Sequence, residues 1–315
     1  MNNVVMLFPG QGSQRVGMLS DVLAESNAAR ETMQEADDAL GFGLSTLIQE
    51  GPAERLDATE NTQPAMLAAD IAVFRAWRAL GGPAPALVAG HSLGEYAALV
   101  AADVLTFADA IKLAQLRGRA MQAAVPAGQG AMAAVVGLDD AAVQGLCDQY
   151  AGDDVLDPVN FNAPGQVVIA GHGAAVARAS ANAKSHGARM VVPLPVSVPS
   201  HCALMAPAAE ALQAALEDVA FASPTCPVVH NVTAAPEPDV DGLRARLIEQ
   251  VKAPVRWVQT IEYLAGAGGD LFLECGPGKV LTGLMRRIDR SLQANALGEW
   301  ASLQAALQQI EESVS

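Results

Sequence analysis

Ser92 lies in the run Gly90-His91-Ser92-Leu93-Gly94, between an apolar stretch at 86–89 and another at 95–104. The first stretch suits a buried strand and the second a helix, which puts the serine at a strand–turn–helix junction. In a G-x-S-x-G run the flanking glycines let the backbone turn tightly enough to push one hydroxyl out above a sheet, as in a nucleophile elbow. Such a hydroxyl can attack a carbonyl and carry the acyl group as an ester. It needs a base for its proton and N–H donors for the charge that develops on the carbonyl oxygen. The Leu93 amide, at the start of the following helix, is placed to be one of those donors. The alternative is a glycine-rich turn with a solvated serine, and the flanking elements favour the elbow.

The chain has five histidines, and a serine nucleophile needs one of them. His91 adjoins Ser92, and a tight elbow is expected to turn it away. His172 and His186 fall in a stretch that reads as a separate unit, where they cap or border a helix. His201 lies between a strand-like stretch and a helix whose apolar face runs through Ala208, Leu212, Ala215 and Val219. A helix N-terminus disfavours a nearby positive charge and would help keep that imidazole neutral. His201 is therefore the preferred base. His230, in the strand-like run at 227–232, is the second candidate, with a satisfied core histidine as its structural reading.

Other polar residues stand at element ends or on buried faces. The strand at 4–8 runs into Gly10-Gln11-Gly12, and Arg15 occupies the position where a dinucleotide fingerprint needs its third glycine. Gln11 is then either a second carbonyl-oxygen donor, through its amide, or part of a plain turn. A helix at 61–80 opens with Pro64 near its first turn and carries Leu67, Ile71, Phe74 and Arg78 down one side. Gln63, just before it, reads as a cap or turn former. On a helix at 107–125, Ala110, Leu113, Ala114, Met121 and Ala124 make an apolar stripe opposite Lys112, Gln115, Arg119 and Gln122. Arg117 falls inside the stripe. Its guanidinium stays charged, so it is either satisfied internally, by an ion pair or a snorkelling stem, or it receives a substrate carboxylate on its two-pronged fork.

The elements that must position these residues divide in two. Residues 126–198 read as strand, helix, strand, strand, helix, strand, the βαββαβ order of a ferredoxin-like unit. Residues 1–125 and 199–315 flank this insertion and carry the elbow. Neither Gly171-His172-Gly173 nor Gly276-Pro277-Gly278-Lys279 is a nucleotide motif. Val176 replaces the third glycine in the first. In the second, Leu273 replaces the first glycine and Val280 the hydroxyl residue of a P-loop.

Composition narrows the partners. The 315 residues are 51% hydrophobic and 17% charged, an ordered globular composition, and a net charge of −15 argues against nucleic acid or an anionic membrane. An acidic partner would need a local basic patch, and Lys279, Arg286, Arg287 and Arg290 form the densest one. Cys147, Cys202, Cys226 and Cys275 are widely spaced with no C-x-x-C pair, which indicates neither zinc nor disulfides and suits a reducing cytoplasm. The N-terminal MNNVVMLF reads as neither signal peptide nor anchor, and no apolar run has membrane length. A soluble, cytoplasmic protein without membrane contact is expected.

FPGQGSQ at 8–14, GHSLGE at 90–95, QLRGRAM at 115–121, VPSHCALM at 198–205, QVKAPVRW at 250–257 and ECGPGKVL at 274–281 together resemble the malonyl-CoA:acyl carrier protein transacylase family of fatty acid synthesis. The spelling is closer to the discrete bacterial enzymes than to acyltransferase domains of polyketide synthases. The resemblance implies an α/β-hydrolase-like large subdomain with a parallel sheet and an inserted ferredoxin-like small one. It implies Ser92 as nucleophile, His201 as base, Leu93 and Gln11 as oxyanion donors and Arg117 as the malonyl carboxylate site. By the same resemblance the Gln250 carbonyl orients His201, and Gln63 and Asn162 lie near the pocket. Ser200, before His201, accompanies methylmalonyl in many polyketide acyltransferases, but discrete bacterial enzymes share it and use malonyl, so malonyl is kept. The implied reaction is ping-pong transfer from malonyl-CoA to the phosphopantetheine thiol of acyl carrier protein, with no cofactor or metal. A monomer is expected. The alternatives are a serine hydrolase or thioesterase, a non-catalytic carrier-binding subunit, and the same transfer in a malonate decarboxylase or polyketide assembly.

Overall fold

The computed structural model describes residues 3–126, 128–196, 198–237 and 239–314. Met1, Asn2, Ala127 and Ser197, which belong to stretches read above, lie outside the described residues. The strands are β1 (Val4–Phe8), β2 (Leu87–Gly90), β3 (Gly130–Val136), β4 (Leu156–Ala163), β5 (Gln166–His172), β6 (Met190–Pro193), β7 (Val228–Val229), β8 (Leu271–Glu274) and β9 (Gln293–Ala296). They form a five-stranded sheet in the order β7-β2-β1-β8-β9 and a four-stranded sheet in the order β4-β5-β3-β6.

Every pairing in the larger sheet is parallel. Parallel strands are covered on both faces, and β1 is apolar and buried throughout. Val4, Met6 and Phe8 pack into the main core, while Val5 and Leu7 face a second core containing Trp257 and Phe272. The helix Thr59–Ala79 departs from the expected one-sided pattern: Leu67 and Ile71 are buried and Arg78 is exposed, but all residues from Thr62 to Val73 are also buried. Small alanines allow neighbouring helices to close around it. One of those neighbours, helix Phe107–Ala124, comes so near at Gly118 that a Cβ there would lie 2.6 Å from the Thr59 carbonyl oxygen. This approach brings Arg117, the preceding residue, against the first turns of Thr59–Ala79.

The smaller sheet is antiparallel, with helices Asp140–Ala151 and Gly173–Asn182 connecting β3 to β4 and β5 to β6, the expected ferredoxin-like arrangement. It has its own core, including Val135, Val143, Leu146, Val167 and Ile169. The second helix stops at Asn182 and passes into a 3-10 turn, Ala183–His186, closed by Gly187 at φ 98°. Strand β4 is irregular between Pro158 and Asn160, where proline lacks an N–H for the ladder, and its Asn160 bridges to Val255 of the larger unit. Among the described residues no helix is long and apolar enough to cross a membrane.

Candidate active site

The tight elbow is built by glycine and by strain. A Cβ on Gly90 would lie 1.9 Å from the Gly94 carbonyl carbon, so only glycine allows β2 to meet helix Gly94–Ala101 here. Ser92 itself has φ 52°, in the left-handed region that costs a residue with a side chain on the order of 1 kcal/mol or more. Its hydroxyl donates to Nε2 of His201 at 2.7 Å, and Nδ1 of His201 donates to the Gln250 backbone carbonyl at 2.8 Å. That carbonyl lies at the C-terminal end of helix Val240–Gln250, where the last turn leaves carbonyls without partners inside the helix. A main-chain oxygen thus stands where a hydrolase triad has a carboxylate, and it fixes the tautomer with Nε2 as acceptor.

His201 is 2% exposed, and its pKa is pushed down from 6.5 to about 3. Burial is the largest cause and the Arg117 charge the second, with the Gln250 carbonyl pulling the other way. The nearby helix expected to do this, Ala206–Leu216, begins only after the 3-10 turn Ala203–Met205, and desolvation takes its place as the cause. The imidazole is neutral and free to take a proton.

Arg117, 2% exposed, is held by neutral groups. It donates to Gln63 Oε1 at 2.7 Å, Gln250 Oε1 at 3.0 Å and Ser92 Oγ at 3.2 Å, and lies 5.8 Å from the centre of the Tyr96 ring. Among the described residues it has no ion pair and its Nε has no partner, so neither the internal ion pair nor the snorkelling stem describes it. Gln63 is no cap: it sits buried within helix Thr59–Ala79, where its Oε1 braces the guanidinium and its Nε2 meets Met121 Sδ at 3.4 Å.

Leu93 and Gln11 line the same pocket as Ser92, Arg117 and His201. The loop after β1 reaches the elbow because residue 10 is glycine: a Cβ there would lie 2.5 Å from the His91 carbonyl oxygen and 3.7 Å from the Leu93 nitrogen. Among the described residues neither the Leu93 nor the Gln11 amide has an acceptor. Two unused N–H groups beside a nucleophile can receive an oxyanion. The pocket holds about 120 Å³. At ~15 Å³ per water-sized group this is room for a short acyl chain.

Ser200 lines the pocket next to His201. Asn162 stands one step back, 2.8 Å from Nε2 of His91, and Asn160 supplies the pocket wall. His91, expected to turn away, also lines the pocket, packed edge-on to Trp257 and bonded to Asn162 instead of Ser92. His230, the second candidate base, is buried and bonded to Glu95 at 2.8 Å. The sequence reading missed Glu95, Asn231 and the Gln250 side chain. A lone glutamate in a helix otherwise apolar was the available signal, because a buried carboxylate must find donors. Lys279, Arg286, Arg287 and Arg290 are exposed on and around helix Val280–Ile288, and Arg287 bonds to Gln166 of β5.

A serine in the left-handed region at the end of a parallel strand, facing a neutral histidine and unused amides, is an arrangement that can carry an acyl group on serine. Residues 5–308 match the acyl transferase domain family. The chain is 53% identical over 308 residues to the malonyl CoA-acyl carrier protein transacylase of Escherichia coli (strain K12), covering 98% of this chain and 100% of that protein. The solved malonyl CoA-acyl carrier protein transacylase of Coxiella burnetii superposes with a TM-score of 0.96 at 46% identity, over 98% of this chain and 97% of that one. A solved holo complex of a type II PKS acyl-carrier protein with its malonyl-transacylase matches with a TM-score of 0.96 at 49% identity, covering 98% and 99%. The chain belongs to the acyl transferase family and, within it, to the malonyl CoA-acyl carrier protein transacylases.

Proposed function

We propose that this enzyme, an acyl-carrier-protein S-malonyltransferase, moves malonyl from coenzyme A to the phosphopantetheine thiol of acyl carrier protein in fatty acid synthesis. The observation that carries the substrate assignment is Arg117, a buried cation with no anionic partner among the described residues, 3.2 Å from the hydroxyl of Ser92. A buried charge of this kind calls for an anion, and its fork matches a carboxylate.

In the first half-reaction Ser92 Oγ attacks the thioester carbonyl while His201 Nε2 takes the hydroxyl proton. The Leu93 and Gln11 amides receive the oxyanion, and the malonyl carboxylate lies on Arg117. As the tetrahedral intermediate collapses, the carbon–sulfur bond breaks and His201 returns its proton to the departing coenzyme A thiol. In the second half-reaction His201 takes the proton of the carrier's thiol, the sulfur attacks the ester, and Ser92 leaves with that proton. His201, neutral at rest, suits this reversible role.

The test is to mix the enzyme with malonyl-CoA, then with holo or apo carrier, and to follow malonyl. Malonyl on the holo carrier alone supports the transferase; free malonate accumulating at the same rate without any carrier makes the enzyme a hydrolase. Comparing fatty acid and polyketide carriers as acceptors separates the pathways.

The reading extends to a cytoplasmic monomer, divided at 1–125 with 199–315 and at 126–198, a division supported by the separate core of the antiparallel sheet. The exposed cluster of Lys279, Arg286, Arg287 and Arg290 is the dock for the acidic carrier. Reversing charge at Arg286 and Arg287 is expected to lower kcat/KM for the carrier about tenfold at low salt. Acylation by malonyl-CoA is expected to stay unchanged. Equal rates with the carrier would remove the cluster from the interface.

A further inference from the structure

Glu95 is fully buried in the first turn of the helix that follows the elbow. Three donors from two other parts of the chain converge on it. Oε1 accepts from His230 Nδ1 at 2.8 Å, and Oε2 accepts from the Asn231 amide at 2.9 Å and Gln250 Nε2 at 3.1 Å. Each of the last two residues goes on to hold reacting parts. Asn231 accepts from the Ser92 amide at 2.7 Å and donates to the Gly90 carbonyl at 2.6 Å. Gln250 donates from the same Nε2 to the Ser92 carbonyl at 2.9 Å, and its Oε1 accepts from Arg117 at 3.0 Å.

The Gln250 amide therefore bridges a buried anion and a buried cation. A carboxylate only accepts and a guanidinium only donates, so the amide lies between them in one orientation, its NH₂ toward Glu95 and its oxygen toward Arg117. Hydrogen bonds in such a chain polarise one another, and the negative charge at one end makes the amide oxygen at the other a better acceptor for the guanidinium.

We propose that Glu95 is a positioning residue for substrate selection: acting through the side chain of Gln250, it anchors Arg117 where a substrate carboxylate meets it. The inference rests on the malonyl reading above. It separates Glu95 from a general scaffold role, because the Arg117 fork meets the substrate itself only through a carboxylate, whereas Ser92 and His201 act on every acyl group.

Glu95→Gln is the discriminating variant, since it keeps the size and cancels the charge. The new amide can turn its oxygen to Asn231 and Gln250 and its NH₂ to His230, whose proton can move to Nε2, an atom with no partner among the described residues. The measurement is kcat/KM for wild type and variant with malonyl-CoA and with acetyl-CoA. In the variant the malonyl-to-acetyl ratio is expected to fall about tenfold or more, the range for weakening one hydrogen bond to a charged group. Gln250→Met keeps the main-chain carbonyl that His201 uses and removes the amide, so the ratio falls there too, and adding Glu95→Gln to it changes the ratio no further. Equal losses with both substrates, or a further fall in the double variant, would overturn the proposal. If Glu95→Gln does not fold, an unchanged ratio in Gln250→Met overturns it alone. Failure of the wild type to transfer malonyl at all would instead overturn the substrate reading.

Discussion

Ser92→Ala is expected to leave no malonyl adduct on the enzyme, detected by intact-protein mass after brief mixing with malonyl-CoA, and to lower transfer by a factor on the order of 10⁶. The size of the loss follows from a lack of substitutes. Cys202 is the thiol nearest in sequence to the base, yet it is buried, its sulfur donates to the Pro199 carbonyl at 3.1 Å, and burial pushes its pKa up to about 12. A thiol protonated to that extent does not replace an activated hydroxyl. Fold stability is expected to change little, because alanine keeps the same Cβ at φ 52° and the hydroxyl serves chemistry more than packing. His201→Ala keeps the hydroxyl and loses its base, so acylation becomes slow and the ester, once formed, persists. An adduct of full occupancy on Ser92→Ala would place the acyl group elsewhere and end the acyl-serine mechanism.

How far the chain could be read in advance depended on how local each feature is. The elbow is local: a strand, a glycine-bounded serine and a helix lie within twenty residues, and their order alone implies the geometry. The ferredoxin-like unit was legible for a similar reason, since its alternation of short strands and helices is complete within one stretch. Arg117 was visible as a conflict between a cation and an apolar stripe, although periodicity left its partner open. The support behind the site was not legible. Glu95 meets Gln250 across 155 residues, and Ser92 meets Asn231 across 139, and nothing in either neighbourhood names the other. Gln63 reads as a cap because Pro64 marks a helix opening in the sequence, whereas the helix starts at Thr59 and turns the Gln63 side chain inward. His91 is turned from Ser92 to Asn162 in keeping with the tight elbow, while its place on the pocket wall depends on Asn162 and Trp257, both distant in sequence.

Arg117→Ala is expected to weaken malonyl transfer by about 2–5 kcal/mol, the range for removing one partner of a buried charge pair, while acetyl transfer loses much less. The same change has a second consequence through His201. The Arg117 charge is the second cause of its low pKa, so removing the cation raises that pKa from about 3 toward the ordinary 6.5. His201 accepts a proton only when neutral, and activity is lost as pH falls through its pKa. The acid limb of kcat/KM for acetyl-CoA is therefore expected to move to higher pH in Arg117→Ala. Stability follows the same sign. Between about 3 and 6.5 the unfolded chain binds more protons at this position than the folded one, so stability rises with pH across that window, and the variant narrows it. Arg117→Lys separates charge from shape, because an ammonium keeps the positive field but lacks the planar fork. Its acid limb is expected to stay near the wild-type position while its preference for malonyl falls. Unchanged malonyl kinetics in Arg117→Ala would make the arginine a structural residue. A lost preference with an unmoved acid limb would mean that burial alone holds His201 neutral, leaving Arg117 only its part in binding the substrate carboxylate.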